Sequence, residues 1–124
     1  MIRLSGVRNQ AGSSLKYNQI VYVPLASVNR QQIEEGVARA AKDLARTVVR
    51  IRYDFEDDWT GDPSIFFKVV LTNQAAKPPK LYEHTREIRE VLEREVRPLE
   101  HGLNYYFNFR SVKEQSELQE FSWA

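Results

Sequence analysis

The fold is decided by residues 48–71, VVRIRYDFEDDWTGDPSIFFKVVL. Two runs, VVRIRY at 48–53 and SIFFKVVL at 64–71, flank the loop DFEDDWTGDP at 54–63. Both runs are rich in the branched and aromatic residues that favour strands, and Gly-Asp-Pro at 61–63 is a turn signal. The segment is therefore predicted to form a β-hairpin with a long, acidic loop.

On the amino-terminal side of the hairpin, the sequence predicts a strand and a helix. Residues 19–24, QIVYVP, are typical of a short strand, which Pro24 closes or marks as a sheet edge. Ser27 or Asn29 can cap the helix that follows. The apolar residues of this helix recur at helical spacing: Ile33, Val37, Ala40, Ala41 and Leu44. Gly36 is expected to weaken the helix by about 1 kcal/mol relative to Ala.

On the carboxyl-terminal side, a helix and a third strand follow a proline-containing connector. Pro78 and Pro79 delay the helix, and Pro98 is expected to end or kink it. Its apolar stripe comprises Leu81, Thr85, Ile88, Leu92, Val96 and Leu99. Residues 103–110, LNYYFNFR, alternate as a strand does, and residues 111–114, SVKE, have the form of a capping box that opens a short helix.

The element order (β)αββαβ predicts the α+β class. Because strand–helix–strand crossovers are right-handed, both helices are expected on one face of an antiparallel or mixed sheet. With the strand at 19–23 the arrangement is ferredoxin-like, and without it the sheet is a three-stranded variant. We predict a polar N-terminal arm at 1–17, a single domain at 18–111, and a short helix with an apolar tail at 112–124.

Alternation along the strands divides their residues between the two faces of the sheet. The apolar, helix-facing set is Val49, Ile51, Tyr53, Phe67, Val69, Leu71, Leu103, Tyr105, Phe107 and Phe109. The opposite set is Arg50, Arg52, Phe66, Lys68, Val70, Asn104, Tyr106, Asn108 and Arg110. This second face is basic, amide-bearing and aromatic, and we expect it to be open. Either it is a binding surface, or it is a solvated face whose polar residues suit water.

The binding hypothesis places a protein partner on this open face. Contact would centre on Trp59, Phe66 and Tyr106, because aromatic residues and Arg dominate interface energetics. The basic residues around this centre are Arg50, Arg52, Lys68 and Arg110. Trp123 would be a second anchor. The alternative is that Trp59 and Trp123 fold back onto their own domain.

The acidic loop and the two histidines are the only candidates for chemistry. The loop carries five carboxylates, Asp54, Glu56, Asp57, Asp58 and Asp62. Oxygen-rich clusters can hold calcium or magnesium, but the spacing is not that of an EF-hand, so a solvated hairpin tip is favoured. His84 and His101 have no partner at catalytic or metal-ligand spacing. No catalytic residue, metal site or cofactor is predicted, although a metal-dependent enzyme using this loop remains an alternative.

Composition bounds the remaining possibilities. The 124 residues carry a net charge of +1, contain no cysteine, and include no apolar run near the roughly 20 residues of a membrane span. The start MIRL does not resemble a signal peptide, so a cytoplasmic protein is expected.

A single-stranded nucleic-acid binder using the open face is a second alternative. The strand at 66–70 lacks the glycine–aromatic pattern of RNA-recognition strands, and the acidic loop would repel phosphate, so a protein partner is favoured.

Four segments resemble a group of small, uncharacterised bacterial proteins: RIRY at 50–53, DWTGDP at 58–63, FFKVVL at 66–71 and YFNFRS at 106–111. Members of that group are often encoded beside a HEPN-domain protein, in an arrangement similar to a toxin–antitoxin module. The resemblance covers residues from about 48 to the C-terminus and implies a protein partner, without assigning site residues. The chain lacks the nucleotidyltransferase motif of many HEPN antitoxins, so inhibition by contact is favoured over inhibition by modification. A non-enzymatic interaction module is therefore predicted, with its oligomeric state left open.

Overall fold

The computed structural model describes residues 29–118 and Trp123. Within these residues the chain forms three α-helices and a three-stranded mixed sheet, which confirms the predicted α+β class. The elements are α1 Arg30–Asp43, β1 Val48–Asp57, β2 Pro63–Leu71, α2 Leu81–Val96, β3 Asn104–Ser111 and α3 Val112–Leu118. A short 3-10 helix, Pro98–His101, links α2 to β3. None of the helices in the described part of the chain has the length and apolar character needed to cross a membrane.

The predicted hairpin is present and supplies two of the three strands. β1 pairs with β2 antiparallel, and β2 pairs on its other side with β3 in parallel, so β2 lies between them. The acidic loop is shorter than expected, because residues 54–57 continue β1 and pair with β2 as far as Asp57 and Pro63. The predicted N-terminal arm and the strand at 19–24 lie outside the described residues, as does Ser27. The ferredoxin-like variant depends on that strand.

Helix α1 begins where the sequence indicates. The Asn29 side chain accepts a hydrogen bond from the backbone N–H of Gln32 at 3.1 Å, so Asn29 is the N-cap. The predicted apolar residues Ile33, Val37, Ala40 and Leu44 are buried, and Ala41 is partly buried. Spacing and cap chemistry alone are enough to place this helix.

One hydrophobic core joins both long helices to the sheet. Helix α2 contributes Ile88, Val91, Leu92 and Val96. The core residues contributed by the strands and connections include Ile65, Phe67, Val69, Leu71, Leu103, Tyr105 and Phe107. Helix α2 ends at Val96, and its C-cap residue Arg97 adopts a left-handed conformation (φ 52°) before Pro98, as the position of this proline predicts.

The inward orientation predicted for Val49 is wrong. Its side chain is 51% exposed, whereas Val48 is buried in the core. The pairing of β1 with β2 is irregular between Val48 and Arg50, which inserts a bulge at the start of the hairpin. Because a one-residue shift moves a side chain to the other face, alternation counted back from Ile51 misplaces Val49.

Gly36 is where α1 and α2 cross closely. A Cβ atom at this position would lie 2.5 Å from the backbone oxygen of Glu95 and 3.1 Å from the Cα of Val96. Beside the crossing, Arg39 Nε donates to Glu95 Oε1 at 2.9 Å. The glycine that appears only to weaken the helix in the sequence thus allows the two helix backbones to approach each other.

We expect Gly36→Ala to destabilise the protein by about 1–2 kcal/mol, although Ala is the better helix former, because the added methyl group forces the helices apart. Urea unfolding followed by circular dichroism measures this change. The matched control is Ala38→Gly, at an exposed position of the same helix, which should cost about 1 kcal/mol through helix propensity alone. A stabilising Gly36→Ala substitution would show that the helices do not pack this tightly.

The predicted capping box opens α3. Glu114 accepts a hydrogen bond from the Ser111 N–H at 2.8 Å, and the Ser111 hydroxyl accepts one from the Glu114 N–H at 3.0 Å. These reciprocal bonds satisfy two backbone donors at the helix start.

Removal of the capping hydroxyl tests this motif. Ser111→Ala should lower the free energy of unfolding by about 1 kcal/mol. Ser116→Ala, at an exposed position within α3, changes the same side chain without touching the cap and should cost nothing measurable. Equal effects of the two substitutions in urea titrations would contradict the capping assignment.

Candidate functional site

The turn between β1 and β2 is a closed, hydrogen-bonded structure formed by residues 58–62. The Asp58 N–H donates to the Asp62 carbonyl at 2.9 Å, and the Gly61 N–H donates to the Asp58 carbonyl at 2.9 Å. Gly61 has a φ of 87°, a left-handed backbone conformation that residues other than glycine adopt only at a cost in free energy. The sequence DWTGDP therefore forms a tight turn rather than a loose loop.

The carboxylate of Asp58 connects this turn to β3. Its Oδ1 accepts hydrogen bonds from the Thr60 hydroxyl at 2.6 Å and from the backbone N–H groups of Thr60 and Asp62 at 2.9 and 3.1 Å. Its Oδ2 accepts from the Tyr106 hydroxyl at 2.7 Å and from the Asn104 amide at 3.2 Å. Because both Asn104 and Tyr106 lie on β3, one side chain fixes the hairpin turn to the third strand.

Asp58 is held in its ionised form. Burial of the group acts to raise the pKa of Asp58, but hydrogen bonds from Thr60, Tyr106 and the Asp62 backbone outweigh it and hold the pKa well below its ordinary value of 3.8. The side chain is only 7% exposed, so the predicted solvated hairpin tip is wrong for this residue. The tip folds inward because β3 supplies two polar side chains to its carboxylate.

The other loop carboxylates lie in different surroundings. Asp54 forms an ion pair with Lys68 at 2.7 Å, and Glu56 and Asp57 are exposed on β1. Asp62 is partly buried and accepts a hydrogen bond from the Asn104 amide at 3.3 Å. In the described part of the chain, no group of three or more acidic, histidine or cysteine residues is placed to hold a metal ion. Of the histidines, His84 places Nδ1 3.0 Å from the Ala75 carbonyl oxygen, and His101 is partly buried in the 3-10 helix.

An aromatic stack lies against this turn. The rings of Phe66 and Tyr106 are nearly parallel, with centroids 5.0 Å apart, and the Trp59 ring lies 5.3 Å from that of Tyr106. Tyr106 is 1% exposed, whereas Trp59 is 72% exposed. Both neighbours of Trp59 in the chain, Asp58 and Thr60, are fixed by hydrogen bonds. The indole is therefore displayed to solvent on a rigid base.

The expectation of an open aromatic face is wrong for most of its members. Val70, Asn104 and Tyr106 are buried, and Phe66 is partly buried. For Asn104 and Tyr106 the physical reason is that the Asp58 turn bonds to both of them, with the Trp59 ring tilted against the Tyr106 ring. Val70 lies towards the other end of β2, between the two arginines that contact Trp123. Alternation in a strand predicts which side a residue faces, but not whether another segment covers that side.

Trp123 contacts residues of β1 and β3 and is 5% exposed. Its backbone carbonyl accepts a hydrogen bond from Arg50 Nε at 3.1 Å, and the Arg110 guanidinium lies 4.1 Å from its ring centroid. In the strand register Val70 lies between these two arginines. This arrangement corresponds to the alternative in which the tryptophan folds back onto its own domain, not to an accessible second anchor.

The structure thus separates the predicted site residues into two groups. Trp59, Phe66 and Tyr106 come together, and the exposed Arg52 lies on β1 of the same hairpin. The remaining four residues, Arg50, Lys68, Arg110 and Trp123, make internal contacts. Sequence reasoning missed the network of Asp58 with Asn104 and Tyr106. Its only signal in the sequence is that the two β3 residues are two positions apart and so share a face.

The fold and the site together define a small α+β domain that presents an exposed tryptophan on a turn fixed by a buried aspartate. No family model matches the chain. No curated protein and no solved structure matches it either.

Proposed function

We propose that this chain is a non-enzymatic protein-interaction module whose partner contact centres on Trp59. The observation that carries the proposal is the 72% exposure of this side chain on a rigid aromatic base. Exposed tryptophans bury large area at small entropic cost and are enriched at the centres of interfaces. Because hydrogen bonds on both sides already hold the turn, docking need not order it.

The placement of the two long helices relative to the sheet supports a partner contact at Trp59. We infer that both long helices lie on one face of the sheet, since their buried residues share a core with Phe67 and Phe107. Phe66 and Tyr106 are one position earlier in their strands, so alternation directs them to the opposite face. Trp59 would then be displayed on the side away from the helices, where a partner can approach.

The partner in this proposal is a bacterial HEPN-type protein, and the chain is its antitoxin-like or regulatory component in the cytoplasm. The support is the sequence resemblance over residues 48–124, which includes the turn that carries Trp59. The turn favours inhibition of the partner by contact over a catalytic role, because both carboxylate oxygens of Asp58 accept hydrogen bonds from protein donors. Inhibition would follow from occupying the partner's surface.

Co-expression with the product of the neighbouring gene tests this function. The two proteins should co-purify as a stoichiometric complex, and calorimetry should give a saturable, submicromolar affinity. The proposal is contradicted if the purified proteins show no binding. It is also contradicted if the chain instead binds single-stranded oligonucleotides in a strongly salt-dependent manner that Arg52→Ala with Lys68→Ala abolishes.

A further inference from the structure

A groove of about 920 Å³ lies at the opposite end of the sheet from Trp59. It is located where the parallel strands β2 and β3 end, at Leu71 and Ser111, which are paired in the register. The first turns of α2 and the connector before it form the facing wall.

The floor of the groove is apolar. Leu71 and Phe107 line it from the buried core, and Leu81 and Phe109 are partly buried around them. Tyr82 stands at the rim with 68% of its side chain exposed. This lining offers a hydrophobic surface of the size that takes a small molecule.

The rim is positively charged. Lys77 and Lys113 both line the groove and are exposed, and neither forms an ion pair with another residue in the described part of the chain. Glu114 is the acidic residue in the lining; its carboxylate accepts the hydrogen bond from the Ser111 N–H and keeps its negative charge, but the lining also contains a third cation, Arg110, so positive charges outnumber negative ones by three to one. The charge available to a ligand is therefore cationic, next to an apolar floor.

We propose that this groove binds a small amphipathic carboxylate. Its apolar chain or ring lies on Phe107 and Leu81, and its carboxylate is held at the lysine rim. Burying the apolar part supplies the hydrophobic driving force, and the two ammonium groups select an anion over a neutral or cationic ligand of the same shape. Neither the fold nor the contact at Trp59 depends on this ligand.

The groove and Trp59 can be tested separately. β2 spans nine residues, so its two ends are about 26 Å apart at roughly 3.3 Å per residue. A small ligand in the groove cannot touch the turn at residues 58–62. Failure of one proposal therefore leaves the other unaffected.

Amide NMR spectra of the full chain, titrated at neutral pH with phenylbutyrate, test the proposal. Shifts should be saturable with a Kd on the order of 1 mM, as expected for about twelve non-hydrogen atoms. They should concentrate at residues 76–82 and 107–113. Phenylbutylamine, which carries the same ring and chain with a cation, should bind at least about threefold more weakly.

Variants distinguish the groove from non-specific binding. Lys77→Gln combined with Lys113→Gln should weaken phenylbutyrate about threefold or more, and Tyr82→Ala should also weaken it. Trp59→Ala is the matched control, an exposed aromatic at the far end of β2, and should leave the affinity unchanged. The proposal is overturned by unsaturable shifts, by equal binding of the amine, or by a Trp59→Ala effect as large as that of Tyr82→Ala.

Discussion

Replacing Asp58 with Ala should cost about 3–5 kcal/mol of folding stability, because the substitution removes the acceptor of the buried Tyr106 hydroxyl and the closer of the two acceptors of the Asn104 amide. It also removes Oδ1, which accepts hydrogen bonds from the Thr60 hydroxyl and from the backbone N–H groups of Thr60 and Asp62 in the turn. A domain of this size is stable by only about 5–15 kcal/mol. The variant is therefore expected to unfold at much lower urea concentration than the parent protein. Asp57→Ala is the matched control, since it removes the adjacent, exposed carboxylate and should be nearly neutral.

The pH dependence of stability gives an independent measure of the same carboxylate. The folded-state pKa of Asp58 is depressed below its ordinary value of 3.8. Its contribution is therefore complete above about pH 4 and is lost as the pH falls below that value, at up to about 1.4 kcal/mol per pH unit. Asp58→Asn cannot titrate and should lack this component in acid unfolding experiments. If Asp58→Ala costs no more than Asp57→Ala, or if Asp58→Asn leaves the acid slope unchanged, Asp58 does not fix the turn.

Local chemistry was sufficient to predict most of the elements. The Asn29 cap, the Ser111–Glu114 capping box and the helical spacing of the α1 residues each depend on neighbours a few positions apart. The β-hairpin likewise follows from two β-rich runs and the Gly61 turn. Such features can be predicted from sequence because both partners of each interaction are close in the chain.

What the sequence did not predict depends on long-range register. The bulge beside Val49, the crossing of Gly36 over Glu95, and the bonds from Asp58 to β3 all join elements whose alignment no local pattern specifies. The dependence on long-range register also explains why the sequence did not distinguish the five carboxylates of the predicted loop from one another. Only the position of β3 beside β2 distinguishes Asp58, which is buried, from Asp57, which is exposed.

The second large effect concerns Trp59. Truncating a central interface tryptophan typically costs about 2 kcal/mol or more, which corresponds to roughly a thirtyfold loss of affinity. The same truncation should cost the isolated fold little, because the side chain is 72% exposed and its main aromatic contact is with Tyr106. Such a contact is worth about 1 kcal/mol, or a few degrees in Tm for a chain of this length.

Tyr82→Ala is the appropriate control for that experiment. Tyr82 is 68% exposed, but it lies on α2 beside the groove, far from the turn that carries Trp59. Its removal takes away a comparable exposed ring without altering the proposed contact. Equal effects of the two substitutions on partner binding would indicate non-specific adhesion of exposed aromatic residues rather than a defined docking site.

The most direct test is a calorimetric titration of the Trp59→Ala variant against the HEPN-type partner that we propose, with Tm measured on the same sample. We predict binding about thirtyfold weaker than that of the parent protein, with Tm lowered by only a few degrees and the Tyr82→Ala variant unaffected. Undiminished affinity, or a sharp fall in Tm with normal binding by the protein that stays folded, would contradict the account and identify Trp59 as a structural residue.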